Sequence, residues 1–335
     1  MNMYGDLPPR QAAKVVRKFL RRAKATAVTD RFGAIHAHKK NSTDTRVYRR
    51  YEPLPVVVAP LSEGVPPAGR KLTYTDVTVK LEQYGDTVNL TDKMFDMDSE
   101  ESIMETSELL SEQCVEVIEK SRLNRLAAGT NVFYANNVAS RSVIASKATA
   151  GDFKRITRQL NRARAKKITK VQAATNKVST EPTRAGFFGL AHTDLEADLR
   201  NMSTFIPAEK YPSQSNVQPG EIGSIEGHRI ILSDLVPIWE KAGASGTTNL
   251  SGGVEVSVAA KADVYPILIF AADAYAVVPF AGKKGAVVSM IRPKPSSGDI
   301  LGQKGGAGWK KYDAAVILNE LWMARLEVAV TADPA

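Results

Sequence analysis

The sequence is poor in the residues that build disulfides, zinc sites and membrane spans. Among 335 residues there is one cysteine, Cys114, so no intramolecular disulfide and no cysteine-paired zinc site can form. No run of about 18 uncharged apolar residues occurs, which predicts that the chain has no membrane-spanning helix. The first residues include no apolar stretch typical of a secretion signal. We therefore expect a folded protein that is made and kept in a cytoplasm.

Histidines are scarce as well, and none lies in a recognisable catalytic pattern. The four are His36, His38, His192 and His228. His36 and His38 alternate as two metal ligands on a strand could, but their surroundings are cationic, so we interpret both as solvated. His192 lies in no nucleophile elbow, and a helix start explains its surroundings better. We predict no catalytic, metal-binding or cofactor-binding residue and no enzymatic activity.

A glycine-rich run, GQKGGAG at residues 302–308, could be mistaken for a phosphate-binding loop. It lacks the Lys-Ser/Thr ending of such a loop and the change from strand to helix that surrounds one. We interpret residues 292–311 as a flexible loop rich in Gly, Pro and Lys.

Basic charge is concentrated at one end of the chain. Residues 1–50 hold 13 Lys and Arg against three acidic residues, so this segment carries a charge of +10. The other 285 residues hold 32 basic and 33 acidic groups, a charge of −1. A short basic arm on a nearly neutral body indicates contact with a polyanion or with an acidic neighbour.

Within this arm an amphipathic helix of about four turns is predicted, because Ala12, Val16, Phe19, Leu20 and Ala23 form one stripe. Its cationic face could be merely solvated, could contact nucleic acid or an acidic partner, or could lie on a membrane surface. The stripe has few large side chains, which disfavours the membrane. The candidate contact residues are Arg10, Lys14, Arg17, Lys18, Arg21 and Arg22.

Residues 53–90 are predicted to form a long β-hairpin. Val56 belongs to a β-prone run, and Val77 and Val79 alternate with polar residues at period two. The residues between the two runs favour a turn, and its tip is predicted at Gly64, Pro66, Pro67 and Gly69. A hairpin with polar faces does not hold itself together, so it must lie on another surface, and the body of its own chain is only one candidate.

A helix is predicted over residues 99–128, with Ser99 as its cap and Gly129 after its end. An apolar stripe of Ile103, Leu110, Cys114, Val117 and Ile118 lines one side. Between residues 92 and 119 there are ten acidic groups and one basic group. The acidic groups could bind a cation, but a solvated helix face or a contact for basic arms is favoured. The candidate acidic face consists of Glu105, Glu108, Glu112 and Glu116.

Shorter elements are predicted along the rest of the chain. They are a basic helix over 149–166 opened by a capping box of Thr149 and Asp152, a strand over 186–191, a helix opened by Thr193 and Glu196, a strand over 229–232, buried strands within 264–280, and long strands over 312–330.

Seven stretches in order along the chain resemble the major capsid proteins of tailed bacteriophages. The similarity is greatest to the capsid-protein family of phages similar to enterobacterial phage N-four. The stretches are YGDLPPRQAA from Tyr4, RRYEPLP from Arg49, LTYTDVTVKLEQYG from Leu72, AGTNVFYAN from Ala128, AHTDLEADLRNM from Ala191, EIGSIEGHRIILS from Glu221 and AAVILNELWMARLEVAV from Ala314. No single stretch is a catalytic motif; their order and coverage carry the resemblance.

The resemblance implies an α+β protein with the Hong Kong-type capsid fold. Its regions would be a basic N-terminal arm (1–52), an extended hairpin loop (53–90), a peripheral domain (91–190) with a spine helix (99–128), a mainly axial domain (191–311), and C-terminal strands (312–335) that return to the peripheral domain. Copies would assemble as hexamers and pentamers of an icosahedral shell around double-stranded DNA.

The partners that the resemblance implies are further copies of the chain, scaffolding and portal proteins, packaged DNA through non-specific contacts, and a decoration protein. Neither a cofactor nor a membrane is implied, and the location would be the virion after assembly in the host cytoplasm. Two alternatives stay open: a DNA-binding protein that forms no shell, and a bacterial compartment shell with the same fold.

Overall fold

A computed structural model describes the chain at residues 27–39, 41–56, 58, 60, 63–64, 69–93, 100–172, 180–211, 217–245, 261–280, 287–295 and 299–331. Side chains are described in these ranges except at 100–105, 171–172, 180–184 and 287–288. Helices and a mixed sheet are combined in one α+β architecture. None of the helices within the described ranges has the length and apolarity needed to cross a membrane.

Four α-helices are described: α1 (Thr29–Phe32), α2 (Glu100–Ala127), α3 (Ala150–Arg162) and α4 (Glu196–Arg200). The 28 residues of α2 span about 42 Å at 1.5 Å per residue, which confirms the predicted long helix. Leu110, Cys114 and Ile118 are buried on its inner side as predicted. Val117 is 37% exposed, so its place in the stripe was wrong. The side chain of Ile103 and the predicted cap Ser99 lie outside the described residues.

Helix α3 begins at the predicted capping box. The hydroxyl of Thr149 accepts a hydrogen bond from the backbone N–H of Asp152, whose carboxylate accepts one from the N–H of Thr149. The helix ends at Arg162, four residues earlier than predicted, because Arg164 has a φ of 54° in the left-handed region that terminates helices.

The predicted capping box at Thr193 and Glu196 was wrong. The ring Nδ1 of His192 accepts a hydrogen bond from the N–H of Asp194 at 3.2 Å and caps a 3₁₀ turn, Thr193–Leu195. Helix α4 follows that turn directly, without a side-chain cap of its own.

Sixteen strands are described. They are β1 (Ala34–Ile35), β2 (Thr45–Tyr51), β3 (Tyr74–Lys80), β4 (Glu82–Thr91), β5 (Val132–Tyr134), β6 (Ile168–Gln172), β7 (Thr180–Ala191), β8 (Phe205–Pro207), β9 (Glu221–Ile225), β10 (His228–Leu232), β11 (Tyr265–Phe270), β12 (Tyr275–Val277), β13 (Val287–Ile291), β14 (Lys304–Asp313), β15 (Ala315–Ile317) and β16 (Met323–Val328). The main sheet has the order β5-β16-β11-β7-β10-β9-β8, and β6 pairs with β7. Strands β11 and β12 are fully buried, which confirms the prediction for residues 264–280.

Both faces of the main sheet are covered, because successive side chains of a strand point to opposite sides. Phe187 and Ile267 pack with α3, around Phe153. Their sequence neighbours Phe188 and Leu268 pack on the other face with α1 and the C-terminal half of α2. The N-terminal segment around Phe32 therefore belongs to the core, although the sequence placed it in an arm.

The predicted loop over 292–311 was wrong in its second half, because residues 304–311 belong to strand β14. This strand pairs with β13 and with β4, and the resulting sheet packs on α2 through Trp309. A β-carbon on Gly306 would lie 3.0 Å from the carbonyl oxygen of Val88, and one on Gly85 would lie 2.8 Å from that of Trp309. Glycine here permits close strand contact, which composition alone does not distinguish from loop flexibility.

The predicted hairpin exists, but its first strand was placed wrongly. Strand β2 pairs with β3 in register from Thr45 opposite Lys80 to Tyr51 opposite Tyr74, whereas no described residue from 52 to 60 is in a strand. Strand β4 pairs with β14 and is no part of the hairpin. Arg49 and Tyr51 of β2 have partners on β3, namely Asp76 and Tyr74, whereas the side chain of Val56 is largely exposed.

Candidate assembly surfaces

Exposed apolar side chains are concentrated on the hairpin and the segment that follows β2. Of sixteen large hydrophobic side chains exposed in the described part of the chain, seven lie between residues 47 and 74. We call these seven the hairpin surface: Val47, Tyr51, Leu54, Val56, Val58, Leu72 and Tyr74. Val56 is 76% exposed and Val58 is 88% exposed. Such a concentration of apolar surface is typical of a protein-contact site.

Cross-strand contacts hold the hairpin in one register. The guanidinium of Arg49 donates two hydrogen bonds of 2.8 Å to the carboxylate of Asp76 and stacks 4.0 Å from the ring centre of Tyr74. Tyr51 and Tyr74 pack edge to face with centroids 6.3 Å apart. The hydrogen bonds from Arg49 lower the pKa of Asp76. Exposed pairs of this kind fix geometry more than they add stability.

The base of the hairpin is attached to the body of the protein. Tyr48 packs with Val79, Leu81 and Val278 in a small apolar cluster. Arg46 donates a hydrogen bond of 2.8 Å to the carbonyl oxygen of Ala37. The hairpin thus extends from a fixed base with its apolar side chains uncovered, which is the arrangement of a surface that a neighbouring molecule can cover.

Two of the four predicted tip residues lie in the described part of the chain. Gly64 has a φ of 75°, and no atom lies within 4 Å of the positions that β-carbons would occupy on Gly64 and Gly69. Pro66 and Pro67 lie outside the described residues. The assignment of this tip to contacts between subunits stays a prediction.

The candidate acidic face of α2 is partly engaged within the chain. Glu108 and Glu112 are half-buried and each makes an electrostatic or hydrogen-bonding contact, whereas Glu116 is exposed. The side chain of Glu105 lies outside the described residues, as do Arg10, Lys14, Arg17, Lys18, Arg21 and Arg22 of the arm. Contact between the arm and an acidic surface stays a prediction.

Sequence reasoning missed a buried anchor for the N-terminal segment. The carboxylate of Glu119, 1% exposed, accepts hydrogen bonds from the backbone N–H groups of Val28 and Thr29 at 3.1 and 2.8 Å. It also accepts one from the hydroxyl of Thr29 at 2.6 Å. The hydroxyl of Tyr275 donates to the carbonyl oxygen of Thr29 at 2.8 Å. Burial raises the pKa of Glu119.

Arg122 completes this anchor. Its guanidinium donates two hydrogen bonds to Asp313 on β14, at 2.6 and 2.7 Å, and one to Asp30 at 2.7 Å. Burial opposes ionisation of Asp30, but the positive charge of Arg122 holds its pKa below the ordinary value. Glu119 and Arg122 follow one another at i,i+3 beside the buried residues Ile118 and Leu123. Opposite charges on the apolar side of a helix were the signal that could have revealed this cluster.

The histidines make structural contacts rather than a site. His36 is exposed as predicted, but His38 is buried beside Phe280, with its Nε2 against the carbonyl oxygen of Thr43, so its solvated interpretation was wrong. His228 is fully buried at the start of β10, where its Nε2 lies 2.7 Å from the hydroxyl of Thr157 on α3. In the described ranges no three His, Cys, Asp or Glu side chains are grouped as metal ligands.

Burial of His228 predicts a loss of stability in acid. Desolvation lowers its pKa from 6.5 to about 4, so between these values the unfolded chain binds a proton that the folded chain does not. The free energy of unfolding is expected to fall by roughly 3 kcal/mol as the pH decreases from 6.5 to 4 on this account. His228→Phe should remove that part of the decrease in urea titrations at pH 7, 5.5 and 4.5, whereas His36→Phe should keep it. Identical pH profiles for wild type and His228→Phe would contradict the prediction.

Comparison with known proteins agrees with this architecture. The family model described as phage capsid protein matches residues 74–326. The major capsid protein of Pseudomonas phage KPP21 is 24% identical over 267 residues, which cover 74% of this chain and 66% of that protein, slightly less than two thirds of its length.

Solved structures agree in fold. The capsid of Ralstonia phage GP4 matches with a TM-score of 0.64 at 11% identity, over 93% of both chains. An encapsulin from Synechococcus elongatus matches with a TM-score of 0.52 at 14% identity, over 89% of this chain and 86% of the encapsulin chain. The chain therefore belongs to the phage capsid protein family and has the Hong Kong-type capsid fold.

Proposed function

We propose that this chain is a major capsid protein whose copies assemble as hexamers and pentamers of an icosahedral shell around double-stranded DNA. The observation that carries the proposal is the hairpin surface, together with membership of the capsid family. Seven apolar side chains exposed between residues 47 and 74 are unfavourable in water, and repeated contacts with neighbouring copies would cover them. The role is structural, and no catalytic residue is assigned.

The regional roles are part of the same proposal. The hairpin would reach over an adjacent subunit, α2 would be the spine of a peripheral domain, and the segment from 191 to 311 would supply most of an axial domain. Cationic residues of the arm would meet packaged DNA or an acidic assembly protein. Scaffolding, portal and decoration proteins are further proposed partners, with assembly in the host cytoplasm and the virion as the final location.

A bacterial compartment shell is the second candidate, because the encapsulin from Synechococcus elongatus has the same fold. Such a shell would enclose a cargo protein instead of a genome. The match to the phage capsid family favours the phage shell, and the DNA content of purified particles would distinguish the two. A DNA-binding protein that forms no shell is disfavoured, because its function would leave the hairpin surface uncovered.

The proposal is tested by the size of the purified full-length protein. Light scattering and negative-stain electron microscopy at increasing protein concentration should reveal closed shells or rings of five or six subunits, with scaffold added if assembly requires it. A protein that remains single at high concentration with its scaffold present, yet binds DNA in a salt-sensitive way, would contradict the shell and support the DNA-binding alternative.

A further inference from the structure

A second basic region, separate from the arm, lies on the outer face of α3. Lys154, Arg158 and Arg162 are exposed and follow one another at i,i+4, so they lie on one side of the helix. With Thr157, Asn161 and Glu226 they line a shallow groove of about 520 Å³, which we call the basic groove. Four more exposed cations follow within eight residues of the helix end: Arg164, Lys166, Lys167 and Lys170.

The two arginines of the basic groove are not used for the fold. Lys154 lies 3.5 Å from a carboxylate oxygen of Glu226, but in the described part of the chain no carboxylate lies within 4 Å of Arg158 or Arg162. By contrast Arg155, on the inner side of the same helix, donates hydrogen bonds to Asp152 and to the carbonyl oxygen of Tyr134. Arg158 and Arg162 carry the same charge and repel one another at i,i+4, so neither provides a partner for the other.

The composition of the groove favours a phosphate backbone over a protein as its partner. None of the large hydrophobic side chains exposed in the described ranges lies between 144 and 205, so the groove offers no apolar anchor of the kind that protein interfaces require. Its exposed Arg, Lys and Asn side chains are types that contact DNA phosphates. Cations at i,i+4 are about 6 Å apart along the helix axis. Along the axis of B-DNA each strand presents a phosphate about every 3.4 Å, so long side chains at this spacing can each reach a phosphate.

We propose that the basic groove binds the phosphodiester backbone of duplex DNA without regard to its sequence. The inference rests on the proposed function for the source of the DNA, but a single subunit should bind DNA whether or not it assembles. This DNA contact is distinct from the one proposed for the arm, because the residues of the basic groove lie on and beside helix α3 of the main body.

The test is fluorescence anisotropy of unassembled full-length protein with a labelled 24-base-pair duplex of arbitrary sequence at about 50–200 mM salt, the range in which phosphate contacts change affinity strongly. In Arg158→Gln/Arg162→Gln the slope of log K against log salt should become less negative by about 2, at about 0.9 per lost phosphate contact. The dissociation constant at 100 mM salt should increase at least tenfold, with an unchanged thermal unfolding temperature.

The control is Lys304→Gln/Lys310→Gln, which removes the same charge from exposed positions on β14 and should leave the slope within about 0.5 of wild type. Arg17→Gln/Arg21→Gln in the arm should lower affinity independently, so its effect should add to that of the groove variant. A groove variant that behaves like the control would overturn the inference. Competition by polyglutamate would also overturn the inference if polyglutamate displaced the duplex as effectively as unlabelled DNA of equal charge does. The groove would then fit an acidic protein.

Shell formation by the same variants is scored separately by electron microscopy. If the groove variant binds DNA normally and still forms shells, the inference is overturned and the proposed function stays intact. If the groove variant loses affinity for DNA and the wild type never forms shells, the inference is supported and the proposed function is contradicted.

Discussion

Arg122→Met is expected to lower the free energy of unfolding by about 3–5 kcal/mol, the largest effect of any single substitution proposed for this chain. The guanidinium is 3% exposed and lies against the carboxylates of Glu119, Asp30 and Asp313. Methionine fills a similar volume but leaves the two buried carboxylates, Glu119 and Asp313, without a positive charge. Their desolvation is then uncompensated.

Urea unfolding monitored by circular dichroism measures this effect. The matched control is Arg125→Met, three positions further along the same helix, where the side chain is 67% exposed and reaches Glu82 only at 4.0 Å. Its cost should be below about 0.5 kcal/mol, as for other exposed pairs. Equal losses in the two variants would show that Arg122 acts through helix propensity and not through the buried cluster.

The pH dependence of the Arg122→Met variant provides a second readout. Without the guanidinium, buried Glu119 should take up a proton more readily in the folded chain than in the unfolded chain. A group with a raised folded pKa stabilises at low pH and loses that contribution as the pH increases. The deficit of the variant relative to wild type should therefore be smaller at pH 5 than at pH 7.5. A deficit that stays constant or increases in acid would contradict the electrostatic explanation.

Val56→Asp/Val58→Asp is expected to abolish assembly at concentrations at which the wild type forms particles. Covering a valine removes about 1.5–3 kcal/mol of unfavourable exposure, and an aspartate in a covered contact adds a desolvation cost. A loss of about 3 kcal/mol per subunit contact increases the concentration required for assembly more than a hundredfold. The unfolding free energy of the unassembled chain should change by less than about 0.5 kcal/mol, since both positions are exposed.

The conservative pair Val56→Ile/Val58→Ile is the control for this experiment. Isoleucine keeps the apolar contact and the β-branched shape, so light scattering should show assembly at concentrations close to those of wild type. Normal assembly of the aspartate pair would show that this part of the hairpin surface faces solvent in the particle.

The general architecture was predictable because it depends on local patterns. The apolar stripe and the acidic start of α2 predicted a long helix, and Thr149 with Asp152 fixed the start of α3 correctly. The apolar run at 264–280 predicted buried strands because strands covered on both faces lose their alternation. Resemblance of seven ordered stretches identified the family before any contact was known.

The remaining features depend on contacts distant in sequence. Gly306 is a strand residue because Val88 approaches it closely, and nothing near Gly306 in sequence indicates that approach. Strand β2 pairs with β3 in the register that places Arg49 beside Asp76. The hairpin therefore starts earlier in the sequence than the valine run at residue 56 suggested. Val28 and Thr29 are anchored by Glu119, about ninety residues away, which converts part of a predicted arm into core.

The central claim, that the hairpin surface is covered by neighbouring copies in a shell, is tested most directly by the labelling rate of a single introduced thiol. Cys114 is the only cysteine of the chain, it is 2% exposed, and burial raises its pKa to about 11, so wild type gives a low background. Val58→Cys should react rapidly with a maleimide in unassembled subunits and at least tenfold more slowly in intact shells verified by electron microscopy. Equal labelling rates in subunits and intact shells would contradict the account, because the hairpin surface would then face solvent in the assembled particle.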